Sequence, residues 1–170
     1  DALTTGTFNT AVGRSALGSD TTGGRAVAIG YAALNNQNFT DSTASYNIAM
    51  GYFAGGSITT GVENVLIGGL TGDALTTAND NTALGHQSLS VDTQGSRSTA
   101  VGAFALANQN FTSATHSNNV AVGYSAGISV TTGLSNTIIG ASAGDAITDA
   151  DANVAIGTSA LSTNTVGSRS

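Results

Sequence analysis

Two short segments of the chain match the spacing of a serine nucleophile. Gly123–Gly127 and Gly140–Gly144 both read Gly-x-Ser-x-Gly, as does the sharp turn that exposes the catalytic serine of α/β-hydrolases. The base for that chemistry could only be His86 or His116. However, these segments belong to a repeat, and the equivalent segment at 13–17 ends in Leu17 instead of glycine. The strand-to-helix context of a catalytic serine is also missing. We therefore predict no catalytic residue and no enzyme.

A third segment has the spacing of the first ligands of a calcium loop. Asp149, Asp151 and Asn153 alternate as the oxygen ligands of such a loop do. The glycine that the loop requires next is Val154, and its twelfth position is Ala160 instead of Glu. We interpret these residues as polar turn residues, and we predict no metal site and no cofactor.

Two related segments read Asn-Gln-Asn-Phe-Thr, at 36–40 and 108–112, and each lies in a stretch with four extra residues. An insertion in a repeat generally forms a loop on one face. Phe39 and Phe111 are either exposed aromatic contacts or plugs that fold back into the widened repeat. Asn38 and Asn110 also begin glycosylation sequons. The candidate exposed contacts are Asn38, Phe39, Thr40, Tyr46, Asn110, Phe111, Thr112 and His116.

Composition excludes several classes of protein. Only 8% of the residues are charged and the net charge is −6, which disfavours nucleic acid as a partner because phosphate binding needs clustered Lys and Arg. Cys is absent, so disulfides and thiolate metal sites are excluded. No apolar run approaches the roughly 18 residues of a membrane span, so we predict no membrane insertion within this segment.

The elements that position these residues belong to one repeat. A five-residue word ends in glycine nine times, and successive intervals of 17, 21, 17 and 17 residues make a larger unit of 72. Units 1–72 and 73–144 agree at more than half of their positions, and 145–170 begins a third. We predict a single array over 1–170, a fragment of a longer fibre. The glycines are Gly13, Gly30, Gly51, Gly68, Gly85, Gly102, Gly123, Gly140 and Gly157.

The columns of the word predict stacked β-strands. Positions two and four are β-branched or aliphatic in nearly every copy, and alternate residues of a strand share a face. The glycine permits a corner after each strand. The pattern predicts an all-β, parallel β-solenoid of 17- and 21-residue coils. The alanine at position three either lies between associating chains or simply faces outward. Position four would form the core ladder of Val12, Ile29, Met50, Ile67, Leu84, Val101, Val122, Ile139 and Ile156.

A second pattern indicates that neighbouring positions share one core volume. When the residues of a coil are counted from the first residue of the word, the ninth is Leu in some coils and Gly in others. Wherever it is Gly, an aliphatic residue appears three positions later, as with Gly55 and Ile58 or Gly72 and Leu75. In the 17-residue coils with Leu, the later position is polar, as in Asp20 and Asp92. Close packing favours such conservation of volume.

The word and the residues after it, Asn9-Thr-Ala-Val-Gly-Arg-Ser-Ala-Leu17, resemble repeats of two groups of proteins. These are the head domain of trimeric autotransporter adhesins and the repeat region of phage tail fibres. The resemblance extends over essentially the whole chain. It implies a left-handed β-roll, association of three copies side by side, and a role in attachment to a host-surface receptor or glycan. The coils of this chain are longer than those of the adhesin heads.

The sequence therefore favours an extracellular structural fibre or attachment region on a virion or bacterial surface, with itself as partner in a homotrimer. A self-assembling matrix or surface-layer filament is the alternative. An ice-binding solenoid is a weaker one, because the Thr pairs such as Thr59-Thr60 are adjacent and point to opposite faces.

Overall fold

The structure is a computed structural model that describes residues 2–163 and residue 167. This part of the chain contains eleven short β-strands and no helix. Nine three-residue strands form one parallel sheet in the order β1-β2-β3-β4-β5-β7-β9-β10-β11, and β6 pairs with β8 in a separate small sheet. The strands are β1 Thr10–Val12, β2 Val27–Ile29, β3 Ile48–Met50, β4 Val65–Ile67, β5 Thr82–Leu84, β6 Gly95–Ser96, β7 Thr99–Val101, β8 Thr115–His116, β9 Val120–Val122, β10 Thr137–Ile139 and β11 Val154–Ile156.

Each strand of the large sheet pairs with the strand of the next coil, position by position. Val27 lies opposite Ile48 across a 21-residue interval, and Val65 lies opposite Thr82 across a 17-residue interval. The four extra residues are therefore absorbed outside the sheet, and the strands stay in register. The predicted all-β, parallel solenoid is confirmed, with one strand of the sheet for each word.

The corner after each strand requires glycine for two separate reasons. Gly102 has a φ of 131°, a conformation that residues with a Cβ rarely adopt. A Cβ built on Gly102 would also lie 2.3 Å from the carbonyl oxygen of Gly123 in the next coil. Because all eight corner glycines from Gly13 to Gly140 approach the next coil in this way, the stacking distance itself excludes a side chain.

The prediction that position four lines the core is wrong. The side chains that point into the coil are those of position three, and Ala28, Ala49, Leu66, Ala100 and Ile138 are fully buried. The position-four side chains lie on the outer face of the sheet, where they are exposed or half-buried. The correction covers Val12, Ile29, Met50, Ile67, Leu84, Val101, Val122, Ile139 and Ile156.

The physical reason is the narrow interior of the coil. Positions nine and twelve already supply a Leu, Ile or Val, such as Leu34 and Ile58, and these side chains are fully buried. Little volume remains, so the strand contributes a small residue in most coils. The expectation that the alanines lie between chains is wrong for the same reason.

The predicted sharing of volume between positions nine and twelve is confirmed. A Cβ on Gly55 would lie 2.8 Å from a methyl of Leu66, 3.0 Å from Leu34 and 3.2 Å from Ile58. Those aliphatic groups fill the space that a leucine takes in other coils. Gly127 is surrounded in the same way by Ile138 and Leu106.

A ladder of asparagines at position one holds the coils together. The backbone N–H of Asn64 donates to Oδ1 of Asn47 (2.9 Å), and its side-chain amide donates to the carbonyl of Ala78 (2.9 Å). Asn81 repeats the arrangement one coil further on. These amides are fully buried, so each replaces the hydrogen bonds that it would make to water.

Candidate interaction surface

The two insertion loops do not expose their phenylalanines. Phe39 and Phe111 are only 6% and 7% exposed, so their assignment as surface contacts is wrong, and the alternative that they fold back against the coil is confirmed. Phe39 lies over Gly23, where a Cβ would come within 2.7 Å of its ring. The N–H groups of Phe39 and Phe111 donate to the buried carboxylates of Asp20 and Asp92, and these bonds hold each loop against the coil. Of the other candidates, Asn38, Thr40, Tyr46, Thr112 and His116 are exposed, and Asn110 is half-buried.

Each loop is held by a buried chain of polar side chains. In the second unit, Nε2 of Gln109 donates to Asp92 (2.6 Å), and Oε1 of Gln109 accepts from the amide of Asn119 (2.8 Å). The other carboxylate oxygen of Asp92 accepts from the N–H groups of Gly95 and Phe111. Asp20, Gln37 and Asn47 form the same chain 72 residues earlier. A fully partnered network of this kind is stabilising, whereas a partly partnered one is costly.

Replacing Gln109 with Leu is expected to lower the free energy of unfolding by about 2–6 kcal/mol. The change leaves a buried carboxylate oxygen of Asp92 and the amide of Asn119 each with one hydrogen bond fewer, and such losses cost about 1–3 kcal/mol each. Asn108→Leu, on the exposed neighbour, is the matched control. Denaturant unfolding followed by circular dichroism measures both. Equal stability of the two variants would contradict the role of the network.

The main exposed apolar feature is the outer face of the nine-stranded sheet, which we call the outer face. It consists of positions two and four of every word, residues that are Val, Ile, Leu, Met or Thr. At roughly 4.8 Å between strands the face is about 38 Å long. Val12, Leu84 and Ile156 on it are 57%, 45% and 66% exposed. Contiguous apolar surface of this kind is a candidate interaction site.

Two rims flank the outer face. The N-rim is the residue that precedes each word, and it comprises Phe8, Arg25, Tyr46, Glu63, Asp80, Arg97, Asn118, Ser135 and Ala152. The C-rim is the residue that follows each corner glycine, and it comprises Arg14, Tyr31, Tyr52, Gly69, His86, Ala103, Tyr124, Ala141 and Thr158. Every N-rim residue is exposed, as are all C-rim residues except the half-buried Gly69 and Ala103.

Aromatic and charged rim side chains contact one another along each rim. On the N-rim the guanidinium of Arg25 lies 5.3 Å from the ring centre of Phe8 and 5.9 Å from that of Tyr46. On the C-rim the rings of Tyr31 and Tyr52 stack at 5.4 Å, at 10° to each other. These contacts, favourable by about 0.5–1 kcal/mol for an exposed cation over a ring, hold the large side chains at the border of the outer face.

The segments with the spacing of a serine nucleophile lie at corners of the coils, and the segment with calcium-loop spacing makes a contact between coils. Ser125 and Ser142 have φ values of 54° and 51°, and Ala32 and Phe53 in the same column have 55° and 54°. Their backbone conformation is therefore that of a coil corner. Asp151 accepts from the N–H of Leu134 (2.7 Å) and so links coils. Residues 2–163 and 167 contain no group of three or more His, Cys, Asp or Glu that could hold a metal ion.

Two acidic residues, Asp73 and Asp145, occupy equivalent positions in the two units. In each, Oδ1 is buried without a hydrogen-bond partner. Burial raises the pKa of Asp73 above its ordinary value, and a hydrogen bond with its own backbone opposes the rise. Since the two residues lie four coils apart, they form no joint site.

Comparison of the chain with protein-family models, with curated proteins and with solved structures found no match. Across residues 2–163 and 167 the structure also shows no helix long and apolar enough to cross a membrane.

Sequence reasoning missed the rims, although the signal was present in the repeat. The N-rim residue and the C-rim residue of a coil are always six positions apart, as in Arg25 and Tyr31 or Tyr46 and Tyr52. These two positions carry five of the nine aromatic residues and three of the four arginines of the chain. Comparing the residue before each word and the residue after each corner glycine across the nine coils would have revealed the two rims.

Proposed function

We propose that the chain is a structural repeat region of a fibre, in which three copies associate side by side through their outer faces. The observation that carries the proposal is the uncovered apolar outer face, which is continuous over nine coils. Parallel sheets in proteins are almost always covered on both faces. Here the chain itself covers only the inner face, through position three.

A second copy is the partner that fits this surface best. The face repeats every coil, so a partner must offer a matching repeat along the same length of about 38 Å. The other copies of the chain do so without any further requirement. Closed rotational symmetry about an axis parallel to the fibre lets every copy bury the same face. The resemblance to trimeric adhesin heads and tail-fibre repeats favours three copies.

A fibre also agrees with the weak chemistry of the rest of the surface. No pocket opens on the described coils, and the asparagine side chains inside the coils form hydrogen bonds between neighbouring coils. In this proposal the fibre lies outside the cell, on a virion or bacterial surface, as a shaft or as the region that contacts a receptor or glycan. A matrix or surface-layer filament would use the same association.

Ice binding is less well supported. The Thr76 hydroxyl donates to the carbonyl of Thr93 (3.0 Å), and Thr59 and Thr131 donate to the next coil in the same way. Hydroxyls used between coils are no longer free to order water on a regular lattice.

The proposal predicts the mass of the purified chain in solution. Light scattering coupled to gel filtration is expected to give about three times the chain mass of 16.6 kDa. Covering the outer face removes apolar surface from water, which is the main favourable term in association. A folded, stable monomer over the micromolar concentration range would contradict the proposal.

A further inference from the structure

The outer face alone does not determine the register of the assembly, that is, how far one copy is displaced along another. Its side chains are Val, Ile, Leu, Met or Thr in every coil, at the same spacing. Sliding one copy along another by one coil, about 4.8 Å, therefore replaces aliphatic contacts with equivalent ones. A uniform face specifies register weakly, as flat and repetitive strands generally do. Another part of the surface must set it.

The two rims are the parts of this surface that differ from coil to coil. Within one chain, the rim residues of a coil are six positions apart and separated by an extended strand, on the order of 15–20 Å. They cannot touch within one copy. When copies are arranged in parallel around an axis, however, the C-rim of each copy lies beside the N-rim of the next. This contact is heterologous, and it closes into a ring.

We propose that the rims pair between copies at the same coil level, and that this pairing sets the register and direction of the fibre. This inference rests on the proposed function. Four of the nine pairs at equal level join two large side chains, namely Arg14 with Phe8, Tyr31 with Arg25, Tyr52 with Tyr46, and His86 with Asp80. They are two cation–aromatic pairs, one aromatic pair and one imidazole–carboxylate pair.

A shift of one coil in one direction destroys this complementarity. It places Arg14 beside Arg25 and His86 beside Arg97, which are like-charged or unfavourable pairs. A shift in the other direction places Tyr52 beside Arg25 and His86 beside Glu63, which are compatible neighbours. A constant shift in either direction would accumulate around the axis and give an open helix, so the shifts around a closed ring must sum to zero. A copy displaced by one coil therefore meets one neighbour in the compatible direction and the other neighbour in the unfavourable one, and the rims disfavour that arrangement.

Engineered cysteines test the pairing without interference, because the chain has no cysteine of its own. The same-level variant combines Ser135→Cys with Ala141→Cys. The displaced controls combine Ala141→Cys with Asn118→Cys or with Ala152→Cys, one coil away in either direction. All four positions are small or exposed. A disulfide needs Cα atoms within about 7 Å, so the two cysteines of one chain cannot join across the face.

Mild oxidation of the same-level variant is expected to give mostly covalent trimer on a denaturing gel, and the displaced variants are expected to stay mostly monomeric. A trimer by light scattering that crosslinks only in a displaced variant would overturn the rim pairing and leave the proposed function intact. A dimer by light scattering that crosslinks in the same-level variant would support the pairing and overturn the number three. A monomer that never crosslinks would overturn both.

Discussion

Replacing Ala100 with Asp is expected to unfold the middle coils, whereas replacing its neighbour Val101 with Asp is expected to separate the copies and leave each one folded. Ala100 is fully buried and pairs with Ala83 and Ala121 in the adjoining strands. The side chain would enter the buried cluster that contains Ala83, Leu106 and Ala121, and the described arginines are all exposed, so no cation is buried there to pair with the carboxylate. Burying an unpaired charge costs several kcal/mol or forces local unfolding.

Val101 lies on the opposite side of the same strand, on the outer face. A carboxylate there remains in water in a single chain, and the cost to the coil is within the roughly 0.5 kcal/mol of an ordinary surface change. In the assembly, by contrast, one carboxylate from each copy would meet in an apolar interface. Circular dichroism on heating measures the fold, and light scattering measures the assembly.

Thr112→Asp, on an exposed insertion loop, is the matched control and should change neither quantity. If Ala100→Asp melts with the parent, then position three is not the core. If Val101→Asp keeps the parent mass, then the outer face is not the surface through which copies associate.

The second large effect is expected at the corner glycines. Gly102→Ala should lower the free energy of unfolding by several kcal/mol. Alanine at a φ of 131° is strained by about 1–3 kcal/mol, and its Cβ would overlap the carbonyl of Gly123 at 2.3 Å. Relieving that overlap requires the two coils to move apart, which also lengthens the hydrogen bonds between their strands.

Gly69→Ala is the matched control for this change. A Cβ on Gly69 would meet only an atom of His86 at 3.6 Å, an ordinary contact. The same column already holds Ala103 and Ala141 in sister coils. The control should stay within about 0.5 kcal/mol of the parent in denaturant unfolding. A Gly102→Ala variant as stable as the control would show that the coils can separate at the corner at little cost.

The sequence predicted the solenoid because stacking imposes a strict constraint on every coil. Strands that pair position by position need equal columns, so Val27 and Ile48 must match although 21 residues separate them. The eight corners from Gly13 to Gly140 must also be glycine, since the backbone of the next coil occupies the place of a Cβ. Both constraints repeat along the chain and therefore appear in the sequence as periods of 17 and 21 residues.

The buried hydrogen-bond networks could not be predicted by comparing equivalent positions of the repeat. Asp92 appeared only as a polar residue at a position that is aliphatic in other coils. Its partner Gln109 lies 17 residues later and projects from the next coil, and Asn119 belongs to the coil after that. Which polar side chains meet inside depends on the path of the insertion loop, and Phe111 turned inward for the same reason.

The sequence by itself determined the repeat, the parallel stacking, the corners and the shared volume of positions nine and twelve. Only the tertiary structure decided which face of the strand is inside. Both faces of Thr99–Val101 are apolar, and the rule that the more aliphatic face is buried gave the wrong answer. The narrow coil accepts Ala100, and the larger residues remain outside. The physical reason is volume: the space inside one coil, and not hydrophobicity alone, selects the residues that fill it.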